Sequence, residues 1–466
     1  MQLLGKKVVV MGLGVHGGGL GVARYCAEQG AVVVVTDLRT ADVLADSLAA
    51  LADLPITFVR GEHREQDVAT CDMVVQNPAV PASSPFVQIA RAAGAAIEME
   101  MTLFFRACPA PIIGVTGSKG KTTTATLTAH LLKAWRADTI LAGNMRISAL
   151  AQLPLIGPET PVILELSSFV LEGLGGAGLS PAIAAITNIY PDHLDRYGTM
   201  DAYIAAKAEI GRHQKTPDTI VLTATDDALI HLAPTMPGQI VWTGVATPNT
   251  TTRGSVWWDA DVLYAALEHG IVAIATHTDV HLAGTHNRAN IATAVALALR
   301  AGMPHTAVAP ALRTFTGVEH RQEVVATLDG HTFVNDTAAT MPDAAVAALT
   351  SLPQPIIWIA GGADKKLSFD TLAATAATHA QHIVLLQGTA TALLHDALVR
   401  HGVADRIIGT FDSFEAAIRA AHAMPVRPAT IALSPGCASF GMFRNEFHRG
   451  EEFRRVVMLL HAEAGI

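Results

Sequence analysis

The 466-residue sequence predicts an α/β fold of three domains, each built on a mostly parallel sheet. Three observations carry the prediction. Short β-branched runs ending in polar residues alternate with alanine-rich helical stretches from end to end, the pattern of sheets covered by helices on both faces. Two glycine-rich turns, at 12–17 and 114–120, each follow a strand-like run and open a helix. The length exceeds what one hydrophobic core serves.

The first segment, 1–107, opens on "KKVVVMGLGVHGGGLGVARYCAEQGAVVVVTD". A buried strand runs into the glycine turn, a helix follows, and a second strand ends at Asp37. This βαβ unit predicts a Rossmann-like domain with a right-handed crossover. Two prolines in "RACPAPIIGVTG" place a boundary near 107. The second segment, 108–316, carries "GVTGSKGKTTT" and then "TPVILELSSF", "PAIAAITNIYPDHLDRY" and "TIVLTATDD", which read as parallel strands with functional groups at their C-terminal ends. This is a central P-loop ATPase domain. Within it, 235–285 is richer in Thr, Gly and Trp and reads as a small antiparallel subdomain, and "NRANIATAVALALRAGM" as a helix ending at Gly302. The third segment, 317–466, again alternates strands such as "PIIWIAGGADK" with alanine-rich helices, a Rossmann-like C-terminal domain.

A formal charge of −9 without a long basic run disfavours non-specific binding to DNA or anionic lipid, and no nucleic-acid partner is expected. Mean hydropathy is +0.35, but the uncharged stretch 173–191 holds four glycines and two prolines and makes a poor membrane span. The N-terminus reads as mature sequence, with lysines directly before a valine strand and no cleavage signal. Four scattered cysteines fit a reducing compartment. A cytoplasmic protein is expected.

Gly12-Leu13-Gly14-Val15-His16-Gly17 is a G-x-G-x-x-G turn, and Asp37 stands where an acid would meet a ribose. Any nucleotide diphosphate suits such a turn, so NAD is one reading and a ligand-free βα turn another. The 114–124 stretch is more specific. Thr116, Gly117, Ser118, Lys119, Gly120, Lys121, Thr122 and Thr123 form a phosphate loop whose first glycine is one place early for the strict G-x-x-x-x-G-K-[ST] pattern. Lys121 would lean over β/γ-phosphates and Thr122 place its hydroxyl on Mg²⁺. At other strand ends, Glu165 offers a metal carboxylate, or else an N-cap or surface acid, and His193 sits between two acids in "DHLDRY". Lys207 reads on composition as an exposed helical lysine. Asn287 reads as a helix cap, and Asn290, one turn later, as an amide for an adenine edge.

Thr116-Gly117-x-x-Gly120-Lys121-Thr122, Glu165-Leu166-Ser167-Ser168-Phe169, Asp192-His193-x-Asp195-Arg196-Tyr197, Lys207, Gly284-Thr285-His286-Asn287-x-x-Asn290, His320-Arg321 and Asn335-Asp336 occur in this order. Together they resemble the Mur ligase family, ATP-dependent amide ligases of peptidoglycan precursor synthesis. The resemblance spans essentially the whole chain and accounts for the early glycine, since the family loop is T-G-x-x-G-K-[ST].

The resemblance implies that ATP activates the carboxylate of UDP-N-acetylmuramoyl-L-alanine as an acyl phosphate, which D-glutamate then attacks. L-glutamate or another amino acid is the alternative within the family. An NAD-dependent oxidoreductase and a non-catalytic nucleotide-binding regulator are the alternatives outside it. Two Mg²⁺ ions are implied, held by Thr122, Glu165, His193 and Lys207, with Lys207 as a carbamate. Gly14, Val15, His16, Asp37 and Arg39 would hold the UDP part, with Asn144 at the sugar-peptide portion. Arg321 and Asp336 would approach ATP, and Lys365, Ser439 and Phe440 the amino acid. Partners are therefore small molecules, the working form a monomer, and hinge closure is implied because three domains contribute. Three departures from the family pattern are Ala338 where "NDTAAT" would carry a lysine, "GNMRIS" in place of G-N-I-G, and Glu446 where an aromatic is usual.

Overall fold

The computed structural model describes the whole chain except residues 1, 15–16, 79, 82, 144–147, 245–251, 281, 283 and 465–466. Val15, His16 and Asn144 therefore lie outside the described residues. The chain divides into two compact units, Met1–Phe315 and Thr316–Ile466.

The first unit holds two sheets. Strands Lys7–Met11, Val32–Asp37, Ile56–Arg60, Met73–Gln76 and Ala96–Glu98 (β1 to β5) pair in the order β3-β2-β1-β4-β5, all parallel. The valine runs of β1 and β2 are buried almost throughout, which is why they carry no polar alternation. The order reverses at β1, so its C-terminal turn opens the crevice where doubly wound sheets take ligands.

The second sheet comprises Ile112–Thr116, Ile140–Gly143, Val162–Glu165, Ile183–Ile186, Thr219–Thr223, Gln239–Gly244, Val256–Asp259, Val262–Leu267 and Gly270–Thr276 (β6 to β14). They run in the order β14-β13-β12-β11-β10-β9-β6-β8-β7. Here β6 is the reversal point, between β8 and β9, and the phosphate loop follows it directly. The 235–285 stretch forms no separate subdomain. Its "VWWDADVLYAAL" is an antiparallel hairpin, β12–β13, added to the parallel sheet through β11. One continuous hydrophobic cluster runs from Val8 and Val33 in the first sheet through Leu103 and Phe104 to Leu164, Ile186 and Leu222 in the second.

The second unit has one sheet, Glu323–Leu328, His331–Asn335, Ile356–Gly361, Ala380–Leu386, Ile407–Phe411 and Ala429–Leu433 (β15 to β20), in the order β15-β16-β20-β17-β18-β19. Only β15 is antiparallel. Separate apolar clusters cover its two faces, one around Trp358 and Leu372, the other around Phe333 and Phe453. Among the described residues no helix is long and apolar enough to cross a membrane.

Candidate active site

The loop between β6 and the helix Lys121–Trp135 is shaped by two glycines with positive φ, Gly117 at 145° and Gly120 at 81°. A Cβ at Gly117 would collide with Thr187 Oγ1, and one at Gly120 with Asn290 Oδ1. Backbone therefore passes where no side chain fits, leaving a cradle of N–H groups at a helix N-terminus. The loop is stapled to the segment after β9. Ser118 N–H donates to Asn188 O at 2.9 Å, Lys119 N–H to Asn188 Oδ1 at 2.8 Å, and Thr187 Oγ1 and Asn188 Nδ2 donate back to Lys119 O. Ser118 Oγ also donates to Tyr190 O at 3.0 Å and lies 3.1 Å from Tyr203 OH. Such cross-ties hold the cradle in one shape before any anion arrives.

Lys121 Nζ donates to Gly117 O at 2.9 Å and Ser118 O at 3.0 Å, folding its ammonium over the loop. Lys207, on the helix Met200–Arg212, reaches the same Gly117 O at 2.8 Å. It is 1% exposed, contrary to the surface lysine that composition suggests. Its ammonium lies 4.7 Å from the Tyr203 ring centre, one helical turn back. Burial pulls its pKa down to about 7, with repulsion from Lys121 adding to the shift and Asp192 opposing it.

Glu165 ends β8, beside β6 at Val115, and is buried at 3% exposure rather than a surface acid. His193 has φ 53° as the N-cap of a short helix, Leu194–Tyr197, and its exposed ring packs 5.1 Å from Phe169. Neighbouring Asp192 pairs with Lys119 at 3.6 Å. Thr122 and Thr123 open the loop's helix half-buried. Asn287 is not a cap: Gly284 holds that position in the helix Thr285–Arg300. Asn287 Oδ1 instead accepts from Asn290 Nδ2 at 3.3 Å, and Asn290, buried, takes a 3.4 Å bond from Thr124 Oγ1 beneath the loop.

At the other crevice, Gly12, Gly14 and Gly17 all have positive φ, and Gly17 caps the helix Gly18–Glu28. Asp37 is 5% exposed and spends both oxygens on this corner. Oδ2 accepts Gly14 N–H at 3.0 Å and Oδ1 accepts Arg39 N–H at 2.9 Å. The Arg39 guanidinium stays half-exposed, 3.6 Å from Asp37. Ser47 Oγ donates to Gly14 O.

Within the second unit, Asp336 is buried and accepts from Gln322 N–H and Ser434 Oγ. Burial raises its pKa to about 7, against these bonds and the nearby Arg321. Lys365 Nζ donates to Thr340 Oγ1 at 3.0 Å, and the Lys365 loop is joined to the Ser439–Phe440 loop by paired bonds between Ala363 and Ala438. Ser439 is buried and Phe440 61% exposed.

Sequence reasoning missed Thr187, Asn188 and Tyr203. Their only signal is position, just past a strand end or one helical turn before Lys207.

Two glycine turns at the reversal points of parallel sheets, one of them with two lysines folded onto it, define a nucleotide-phosphate-binding α/β protein. Models of the Mur ligase MurD-like N-terminal domain, the Mur ligase middle domain and the Mur ligase glutamate ligase domain match residues 6–98, 115–298 and 320–437. The chain belongs to the Mur ligase family. A protein of Roseiflexus sp. (strain RS-1) named UDP-N-acetylmuramoylalanine--D-glutamate ligase is 54% identical over 98% of this chain and 99% of its own length. A protein of the same name from Symbiobacterium thermophilum is 37% identical over 98% of this chain and 99% of its own. Among solved structures, the UDP-N-acetylmuramate-alanine ligase MurC of Thermotoga maritima superposes with a TM-score of 0.61 at 21% identity, covering 98% of this chain and 100% of that one. That likeness speaks to fold alone.

Proposed function

We propose that the chain is an ATP-dependent amide ligase joining D-glutamate to UDP-N-acetylmuramoyl-L-alanine. The observation that carries the reading is the convergence of Lys121 and Lys207 on one carbonyl of a phosphate loop flanked by Glu165. The names of full-length relatives supply the substrates.

Phosphoryl transfer from ATP to a carboxylate brings two anions together, so repulsion is the main barrier. Lys121 and the loop N–H groups would neutralise the transferring group in a fixed, partly dry setting. The carboxylate oxygen bonds to the γ-phosphorus as ADP leaves, giving an acyl phosphate. The glutamate amine then attacks the acyl carbon, loses a proton, and phosphate departs as the amide forms. Gly14, Asp37 and Arg39 would hold the UDP group; Lys365, Ser439 and Phe440 would receive the amino acid.

The residues fit Mg²⁺. Thr122 and Glu165 offer hard oxygens beside the loop, and buried Thr116 Oγ1 has no hydrogen-bond partner among the described residues. Among the described residues no cluster of three His, Cys, Asp or Glu side chains is placed to hold a metal. Thr122 and Glu165 suit an ion that takes one or two carboxylates and fills the rest with phosphate and water. Thr122 and Glu165 would hold one ion, and His193 with a carbamylated Lys207 a second. Bound there, the ions supply positive charge between the two anions. A Lys207 pKa near 7 leaves a substantial share of the amine neutral at physiological pH, and the neutral amine can add to CO₂ with loss of one proton. On this reading the working form is a cytoplasmic monomer.

The test is phosphate release with ATP, Mg²⁺ and UDP-N-acetylmuramoyl-L-alanine, comparing D- and L-glutamate. Release with D-glutamate alone is expected; equal release with L-glutamate, or none with either, would sink the reading.

A further inference from the structure

The hairpin β12–β13 turns on two residues, Ala260 and Asp261, between the paired Asp259 and Val262. Ala260 has φ 47°, a left-handed conformation that alanine rarely takes. A second locally unfavourable choice stands opposite it. Arg288 is the fourth residue of the helix Thr285–Arg300, close to the positive end of its dipole, and no acid stands in that first turn.

The two choices meet. Arg288 Nη1 donates to the Ala260 carbonyl at 2.7 Å, and Nη2 donates to Asp261 Oδ1 at 2.9 Å. In return the indole N–H of buried Trp258 donates to the Arg288 carbonyl at 2.9 Å. The guanidinium carbon lies 5.2 Å from the Trp258 ring centre. Neighbouring Trp257 stacks on Tyr264 across the hairpin, on the opposite face of the sheet. The turn is also anchored to the residue after β14, because His277 N–H donates to the Asp261 carbonyl at 2.9 Å. Hairpin and helix therefore hold each other by side chain and backbone in both directions. Where residues break a local rule together, the arrangement they make possible is the reason to look for a function.

What is held is the start of the helix. Asn287 precedes Arg288, and Asn290 follows two residues on. Asn290 lies beneath the phosphate loop, where it takes the Thr124 hydroxyl and leaves no room for a Cβ at Gly120. Its Nδ2 donates to Asn287 Oδ1, so the two amides move as one. Helix ends fray, and a misplacement of 1 Å in a binding group is enough to be felt at a site.

We propose that the hairpin β12–β13 is a latch for the nucleotide site: Trp258, Ala260 and Asp261, acting through Arg288, fix the first helical turn so that the Asn287 and Asn290 amides meet the base of ATP. The proposal rests on the ligase reading for the nucleotide, but the latch itself is open to a measurement without ligand. Trp258, Asp261 and Arg288 are positioning residues, and none of them needs to touch the nucleotide.

The experiment uses the full chain with Arg288→Met, which keeps the stem and removes the fork, and Trp258→Phe, which keeps a ring and removes the N–H. Arg253→Met is the control, since it breaks the exposed Arg253–Glu268 pair at the other end of the same two strands. Deuterium exchange followed by peptide mass spectrometry reads the turn directly. Exchange over residues 285–292 should be several-fold faster in both variants and unchanged in the control. Calorimetry then compares ADP with inorganic tripolyphosphate, which fills the loop but has no base. Kd for ADP should rise about fivefold in both variants, the scale of one hydrogen bond with a partly exposed partner, while Kd for tripolyphosphate moves less than twofold. Unchanged exchange in both variants overturns the proposal, as does an unchanged Kd for ADP or an equal weakening of ADP and tripolyphosphate. Faster exchange in the variants of a chain that binds tripolyphosphate but no ADP upholds the latch and overturns the ligase reading instead.

Discussion

Lys121 and Lys207 donate to the same acceptor, the carbonyl oxygen of Gly117, at 2.9 and 2.8 Å. Two ammonium groups sharing one neutral oxygen repel each other, and the pKa of Lys207 registers that repulsion. Such an arrangement is poor for stability and good for receiving anions. The Gly117 carbonyl holds the Lys121 ammonium at the loop for phosphate and keeps the Lys207 nitrogen beside it.

Lys121 is half-buried at the loop and Lys207 fully buried, so their losses differ. Lys121→Ala removes the cation from the transferring phosphoryl group and should lower ligation at least ~10³-fold, the scale of losing one preorganised charge contact. The first crevice is built separately around Gly14, so binding of the UDP substrate, read by calorimetry, should hold within a few-fold. Preserved turnover would refute the role.

The buried Lys207 ammonium also makes a stability prediction. Its folded pKa of about 7 lies below its ordinary value of 10.5, so between those pH values the unfolded chain holds a proton that the folded one has lost. Stability from this group therefore rises with pH across that window, and its cost is fully present below pH 7. Lys207→Met should stabilise the first unit near pH 7 by on the order of a few kcal/mol, read as a raised melting temperature, while abolishing ligation. A variant that is inactive and no more stable would argue that the lysine is not a desolvated cation. For carbamylation, Lys207→Ala should regain part of its activity with short carboxylic acids; full activity without them would count against it.

Asp336 titrates in the opposite sense. Its folded pKa of about 7 lies above the ordinary 3.8, so the folded state retains a proton that the unfolded state releases. The stability this gives is complete below about pH 4, drains away as pH rises, and is gone above about 7. Melting of the second unit, wild type minus Asp336→Asn, should shrink steadily over that range. A flat difference would mean that Ser434 and the Gln322 N–H hold the carboxylate ionised throughout.

How much of this was legible in the sequence follows from the range of each contact. Gly117, Gly120, Gly14 and Gly17 announced their turns because positive φ is a local demand that glycine meets. Glu165 is legible as a polar residue closing an apolar strand, whereas His193 lies beyond β9 and caps a short helix. Thr187 and Asn188 were not, because the bonds they make with the loop at Lys119 link residues about seventy positions apart. The burial of Lys207 was equally hidden, since a helix whose other faces are polar looks solvated until its partner sheet is placed. The antiparallel hairpin at β12–β13 reads from sequence as a subdomain because alternation shows pairing but not the neighbour that receives it. Asn287 looks like a cap in the sequence, but its helix begins two residues earlier under a Gly284 cap.

The corner of β2 supplies the last prediction. Asp37 binds Gly14 N–H with one oxygen and Arg39 N–H with the other, so the glycine turn and the arginine beside it share one anchor. Asp37→Ala removes both acceptors and frees the turn, so KM for the UDP substrate should rise ~10- to 100-fold, the worth of one to two hydrogen bonds to a charged group. Asp37→Asn keeps an oxygen for one partner and should lie between the variant and wild type. KM for ATP should be unmoved in both, because the phosphate loop at Gly117–Lys121 takes its support from Thr187 and Asn188. If Asp37→Ala raised KM for ATP as much as for the UDP substrate, the two glycine turns would be one coupled site, and the assignment of the first to the UDP group would fail.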